Sequence, residues 1–108
     1  MGSPALKHDV FQAIADPTRR KVLKLLADQD MAIVAISECF PLSRTAVNKH
    51  LHILSAAGLV SSEKIGRETR YRLQPEPLAE VREWLSFFEA YWDDKLELLK
   101  SYVENDMD

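Results

Sequence analysis

The chain has 108 residues, the length of one domain, with 46% apolar and 29% charged residues and a formal net charge of −3. That is an ordinary globular composition, which excludes a disordered chain, a collagen-like fibre and a disulfide scaffold. No apolar run approaches the roughly 18 residues of a membrane span, and no signal-peptide pattern opens the chain. The expectation is therefore a protein without membrane contact. The single cysteine, Cys39, has no partner for an internal disulfide, which fits a reducing, cytoplasmic location.

The negative total conceals an uneven distribution. Residues 1–40 carry no net charge. Residues 41–74 hold six Lys/Arg against Glu63 and Glu68, net +4, and residues 75–108 hold three against ten, net −7. A cationic middle section is the footprint expected of phosphate contact. On charge alone, a merely solvated face fits equally well.

In chain order, residues 5–15 place Leu6, Val10, Phe11 and Ile14 at helical spacing. Asp16-Pro17 ends that helix and begins another over 17–28, with Asp able to cap the new amides and Pro tolerated at the first helical position. Val22, Leu23, Leu25 and Leu26 face inward there, and the outer face carries Arg19, Arg20, Lys21 and Lys24. After the polar break at 28–30, residues 32–39 read as a short third helix with Ile33 and Ile36 buried, ended by Pro41. Ser43 can cap a fourth helix over 44–57, where Val47, Leu51 and Leu54 face the core, and Gly58 suits a left-handed C-terminal cap.

The hydrophobic period then changes from about 3.6 to 2. Residues 59–65 and 69–73 read as strands joined around Gly66-Arg67, with Thr69, Tyr71 and Leu73 on one face and Arg70 and Arg72 on the other. Pro75 and Pro77 break the chain again. Residues 78–103 read as one long helix with two apolar stripes, the first containing Leu78, Val81, Leu85, Phe88, Trp92, Leu99 and Tyr102. One stripe can cover its own domain. The second, with Trp84, Phe87, Tyr91 and Leu98, needs another surface, because soluble monomers rarely expose large apolar patches.

Helix, short turn, helix and basic hairpin define a mainly α fold with a small β-hairpin wing. This is a winged helix-turn-helix (32–57, wing 59–74) as a single domain, with N- and C-terminal helices serving dimerisation. The major groove is about 12 Å wide and admits one α-helix. The fourth helix offers Ser43, Arg44, Thr45, Asn48, Lys49 and His52 to it. Arg can read guanine bidentately, Asn can read adenine, and Lys49 suits phosphate. From the wing, Lys64, Arg67 and Arg70 are candidate contacts, with Arg67 near enough to the tip to enter a minor groove. His50 reads as a hydrogen-bonded structural histidine rather than a base reader. For a self-complementary twofold interface the candidates are Leu6, Val10, Trp84, Phe88, Tyr91, Trp92 and Leu99.

The stretches 9–26 (DVFQAIADPTRRKVLKLL), 43–60 (SRTAVNKHLHILSAAGLV) and 65–73 (IGRETRYRL) closely resemble ArsR-type winged-helix repressors. The resemblance covers nearly the whole chain, and the aromatic tail 78–103 looks like one branch of that family. It implies a cytoplasmic dimer that binds a partly palindromic operator and leaves it when a signal arrives; for this chain the sequence leaves open a small molecule, a partner protein or no signal at all. The family's metal sensors carry a Cys-x-Cys pair in the third helix, and the matching positions here are Ala32 and Val34, which cannot ligate metal. Others place His and Asp ligands in the last helix, which here lacks histidine. No metal and no cofactor is therefore expected, and Cys39 reads as a buried small residue.

Catalysis needs a nucleophile, a base and a charge stabiliser in one pocket. One cysteine, three scattered histidines and three glycines supply no such set and no phosphate-cradling loop, so no enzyme is expected. The alternative is a winged helix that docks a protein through its acidic, aromatic C-terminal helix. The outer face of 44–52, with Arg44, Asn48 and Lys49 beside a basic wing, argues for nucleic acid instead.

Overall fold

A computed structural model describes residues 9–106 of the chain. Its elements in order are α1 (Val10–Ala13), α2 (Pro17–Asp28), β1 (Met31–Ala32), α3 (Ile33–Ser37), α4 (Arg44–Ala56), β2 (Val60–Ile65), β3 (Glu68–Leu73), α5 (Leu78–Ser86) and α6 (Glu89–Asp106).

Local chemistry sets most of these boundaries. Asp9 has an extended backbone and forms a reciprocal capping box with Gln12, so the helix expected over 5–15 is, among the described residues, the single turn α1. Residues 5–8 lie outside the described residues, and Leu6 with them. Asp16 accepts the backbone N–H of Arg19 at 3.0 Å and Pro17 follows at the first helical position, which starts α2. At the end of α4, Gly58 takes φ +77°, its N–H donates to the Ser55 carbonyl, and the Leu59 N–H donates to the Leu54 carbonyl at 2.9 Å. This is a Schellman cap, and the positive φ is what calls for glycine.

The three strands form one antiparallel sheet in the order β1-β3-β2. Ile65 opposes Glu68 across a two-residue loop, and of that loop only Gly66 has positive φ, the pattern of a type II′ hairpin turn. The core collects Val22, Leu23 and Leu26 of α2, Ile36 of α3, Val47, Leu51 and Leu54 of α4, and Leu59 and Val60 leading into β2. α2, α3 and α4 thus each bury one face against the others.

Four expectations need correction. The third helix is shorter than 32–39: Met31 and Ala32 pair with Tyr71 and Arg70 as β1, and α3 begins only at Ile33. Cys39, expected to be buried, is exposed beyond the end of α3. Val10, expected at a dimer interface, is only 3% exposed and belongs to its own chain's core, so it has no surface left for a partner.

The long helix expected over 78–103 is two helices. Around Phe87 and Phe88 the bonding slips to the i→i−3 pattern, with Phe88 N–H reaching Leu85 O at 3.0 Å. Its first apolar stripe covers the domain only through Leu78 and Val81, which pack on the core. Every described side chain of α6 is exposed. The radius of gyration is 19.2 Å, against about 13 Å for a compact chain of this length. The long axis of 68 Å leaves room for α6, roughly 27 Å long, to project from the body.

Candidate nucleic-acid interface

The residues of α4 divide cleanly. Val47, Leu51 and Leu54 are buried, whereas Arg44, Thr45, Asn48, Lys49 and His52 are exposed. The helical period of 3.6 produces this partition, because the core fixes one face and leaves the opposite one to solvent. Ser43, also counted on the reading face, caps the helix by accepting the Ala46 N–H at 3.1 Å. Its oxygen is thereby occupied as an acceptor, and its proton remains available as a donor.

Strand parity decides which wing residues stand beside α4. A groove of about 460 Å³ is lined by Asn48, Lys49, His52 and Ser55 of α4 and by Ser62 and Tyr71 of the sheet. Side chains alternate faces along a strand. Lys64 therefore shares the α4 side with Ser62, and it opposes Thr69 in the ladder. Arg67 sits at the hairpin tip and is exposed. Among the described residues neither Lys64 nor Arg67 enters an ion pair, so both ammonium and guanidinium are free for phosphate.

Arg70 is placed differently from the sequence expectation. It lies on the opposite face of the sheet from Tyr71, pairs with Glu68 at 3.3 Å and donates to the Asp30 carbonyl at 3.4 Å. Arg72, on that same face, is held by the Asp30 carboxylate at 3.1 Å. These two arginines tie β3 to the chain leading into β1 and point away from α4. Ser55, Ser62 and Tyr71 are the groove residues the sequence reading missed. The parity that links Ser62 and Tyr71 to Lys64 was visible, but not which sheet face meets α4.

The cations of α2 are likewise not all outward. Arg19 turns back, donating from Nε to the Ala13 carbonyl at 2.6 Å and from Nη2 to the Gln12 carbonyl at 3.2 Å. Arg20 reaches the Ile14 carbonyl at 2.7 Å. Together they bond three carbonyls at the end of α1, of which that of Gln12 also accepts the Ala15 N–H at 3.2 Å. Arg19 Nη1 also lies 3.3 Å from His50 Nδ1 on α4, so His50 is the hydrogen-bonded structural histidine expected of it. Burial pushes the Asp16 carboxyl up. The Arg19 N–H, the nearby His50 ring when protonated, the Arg19 guanidinium and the Thr18 N–H outweigh this and hold it below its ordinary value.

Of the remaining interface candidates, Trp84, Tyr91, Trp92 and Leu99 are exposed and Phe88 is half-buried. Among the described residues Phe87, at 81%, is the most exposed large apolar side chain, and Leu96, Leu98, Tyr102 and Val103 extend the apolar surface along α6. Trp84 is anchored edge-on against Phe11 of α1 at 5.9 Å and against Phe88 at 5.2 Å, which fixes α5 on the body. Among the described residues no three His, Cys, Asp or Glu side chains gather as a metal site requires, and no helix is long and apolar enough to cross a membrane.

Comparison with known proteins agrees with this geometry. A helix-turn-helix domain family matches residues 14–63. The chain is 37% identical over 89 residues to the transcriptional repressor SdpR of Bacillus subtilis, covering 82% of this chain and 99% of that protein. It is 38% identical over 78 residues to the HTH-type transcriptional regulator Rv2034 of Mycobacterium tuberculosis, covering 72% and 73% respectively. Among solved structures, an ArsR-like transcriptional regulator from Rhodococcus sp. RHA1 is 39% identical, with a TM-score of 0.64 over 86% of this chain and 88% of that one. A possible transcriptional regulator for arsenical resistance is 38% identical, with a TM-score of 0.68 over 86% and 94%. The named relatives are regulators of transcription, a non-enzymatic role. The winged helix-turn-helix fold is thus shared, and the chain belongs to the ArsR-type family of helix-turn-helix transcriptional repressors.

Proposed function

We propose that the protein represses transcription as a homodimer that covers a twofold-symmetric operator. In this reading α4 lies in the major groove. Arg44, Thr45, Asn48 and His52 meet base edges, while Lys49, Lys64 and Arg67 meet phosphates. The observation that carries the dimer is the uncovered apolar surface of α5 and α6. Trp84, Phe87, Tyr91, Trp92 and Leu99 are exposed on helices of which the second projects from the body. Such a surface is costly for a soluble monomer and is what a self-complementary twofold contact needs. A twofold protein would place its two reading helices about one helical turn of DNA apart, roughly 34–36 Å. Occlusion of a promoter is the simplest mode of action for a dimer seated on its operator.

Sedimentation equilibrium tests the dimer directly. The wild type is expected at about twice its chain mass of 12.3 kDa, and a Trp92→Glu, Leu99→Glu double variant at the single-chain mass with its helical content kept. Both residues are exposed, so the substitutions leave the monomer core intact. A wild type that sediments as a monomer at high concentration would exclude this reading. The acidic, aromatic α6 would then be better explained as a docking surface for another protein.

A further inference from the structure

Resting on the DNA-reading role just proposed, we infer that Arg19 and His50 are positioning residues that set the angle of α4 toward the groove. Neither side chain is on the reading face. Arg19 belongs to the first turn of α2 and His50 to the flank of α4, thirty-one residues further along. The Arg19 guanidinium makes three contacts at once: the Ala13 carbonyl, the Gln12 carbonyl and His50 Nδ1. Its backbone N–H is in turn fixed by the Asp16 carboxylate. A planar fork held at two other points can hold the third partner in one place, which a flexible ammonium cannot.

The chemistry of the contact is determined by the partner. Arginine only donates, so Nδ1 must accept, and the neutral imidazole therefore carries its proton on Nε2. Asp16 Oδ2, at 3.9 Å from Nδ1, is too far to compete by a hydrogen bond. The clamp thus joins the recognition helix to the α1–α2 corner through the ring's acceptor nitrogen. That corner is packed against α5, because Phe11 of α1 meets Trp84 edge-on. Contact is continuous from the helix proposed to dimerise, through α1 and Arg19, to the helix proposed to read DNA. Four other residues of α4 are well placed to touch bases, but the direction in which they point depends on the axis that His50 and Arg19 hold. Small displacements matter here, since bidentate base contacts tolerate little misalignment.

The test uses a duplex recovered by in vitro selection with the wild-type protein and a scrambled duplex of the same composition. Fluorescence anisotropy would compare the wild type with His50→Asn and His50→Leu. Asn and Leu have nearly the same shape, but only Asn offers an oxygen near the position of Nδ1. His50→Leu should lose more than tenfold in affinity for the selected duplex and less than twofold for the scrambled one. His50→Asn should recover most of the selectivity, and Arg19→Lys should behave like His50→Leu. Thermal melts of the variants, matched in size, separate loss of aim from loss of fold. Equal selectivity in the Asn and Leu variants would overturn the inference. So would equal loss on both duplexes with melting unchanged, since His50 would then be a direct phosphate contact. Selection that enriches no sequence with the wild type would remove the DNA-reading role itself, a failure distinct from that of the clamp.

Discussion

The hairpin predicts opposite behaviour for two arginines only three positions apart, Arg67 at its tip and Arg70 on the sheet face away from α4. Arg67 is exposed at the hairpin tip without an ion pair, whereas Arg70 points to the far face and is occupied by Glu68 and the Asp30 carbonyl. If Arg67 meets one phosphate, replacing it by Ala should make the slope of log affinity against log salt shallower by about 0.9. Over a fourfold rise in salt, from about 50 to 200 mM, one such contact is worth about 3.5-fold in affinity. Arg67→Ala should therefore weaken binding at low salt and lose about 3.5-fold less than the wild type across that range. Arg70→Ala should leave the slope unchanged. It removes an exposed pair whose worth is about 0–1 kcal/mol, so the fold should persist. Anisotropy titrations of selected and scrambled duplexes at four salt concentrations would measure both slopes. Equal slope changes for the two variants would refute the face assignment on which the proposed phosphate contacts rest.

Three further outcomes follow from individual side chains. Gly58→Ala should cost about 1–2 kcal/mol in a denaturant melt, because φ is +77°. The added Cβ would meet Pro77 Cγ at an ordinary 3.6 Å, so no clash adds to that figure, and a neutral variant would contradict the Schellman assignment. Asp16→Asn keeps a capping oxygen but removes the charge. The wild-type carboxyl is held below its ordinary value, so its contribution is present above the unfolded value of about 3.9 and is lost as pH falls through the folded one. The melting temperature of the wild type should thus drop more steeply than that of Asp16→Asn below about pH 4, and parallel curves would remove the carboxylate from the account. Asn48→Ala should cost about 1–3 kcal/mol on the selected duplex and little on the scrambled one. An equal loss on both would reassign Asn48 to phosphate.

Elements fixed by neighbouring residues were legible in the sequence. Ser43, Gly58 and the Asp16-Pro17 pair marked the ends of α2 and α4 because caps act within a few positions. The hairpin was legible from its period and from Gly66. What depended on distant partners was not. Met31–Ala32 is a strand only because β3, some forty residues on, pairs with it. Arg19 faces inward because carbonyls of α1 and a histidine of α4 receive it. The interruption at Phe87 has no proline or glycine to announce it, and Phe87 keeps helical angles of φ −55° and ψ −31°. For the site, the exposed face of α4 followed directly from helical spacing. The assignment of Arg70 did not, since alternation tells which residues share a face but not which face meets the helix.

The measurement that bears most directly on the repressor account is an anisotropy titration of the metal-free protein, with chelator present. It would compare duplex from upstream of the protein's own gene, the duplex recovered by selection and unrelated duplex, at low and high salt. Tight, salt-sensitive binding that prefers the selected duplex, with two chains bound per site, is the predicted result. Binding of neither specific nor unrelated duplex, even at low salt, would contradict it and turn attention to the apolar face of α6 as a protein-docking surface.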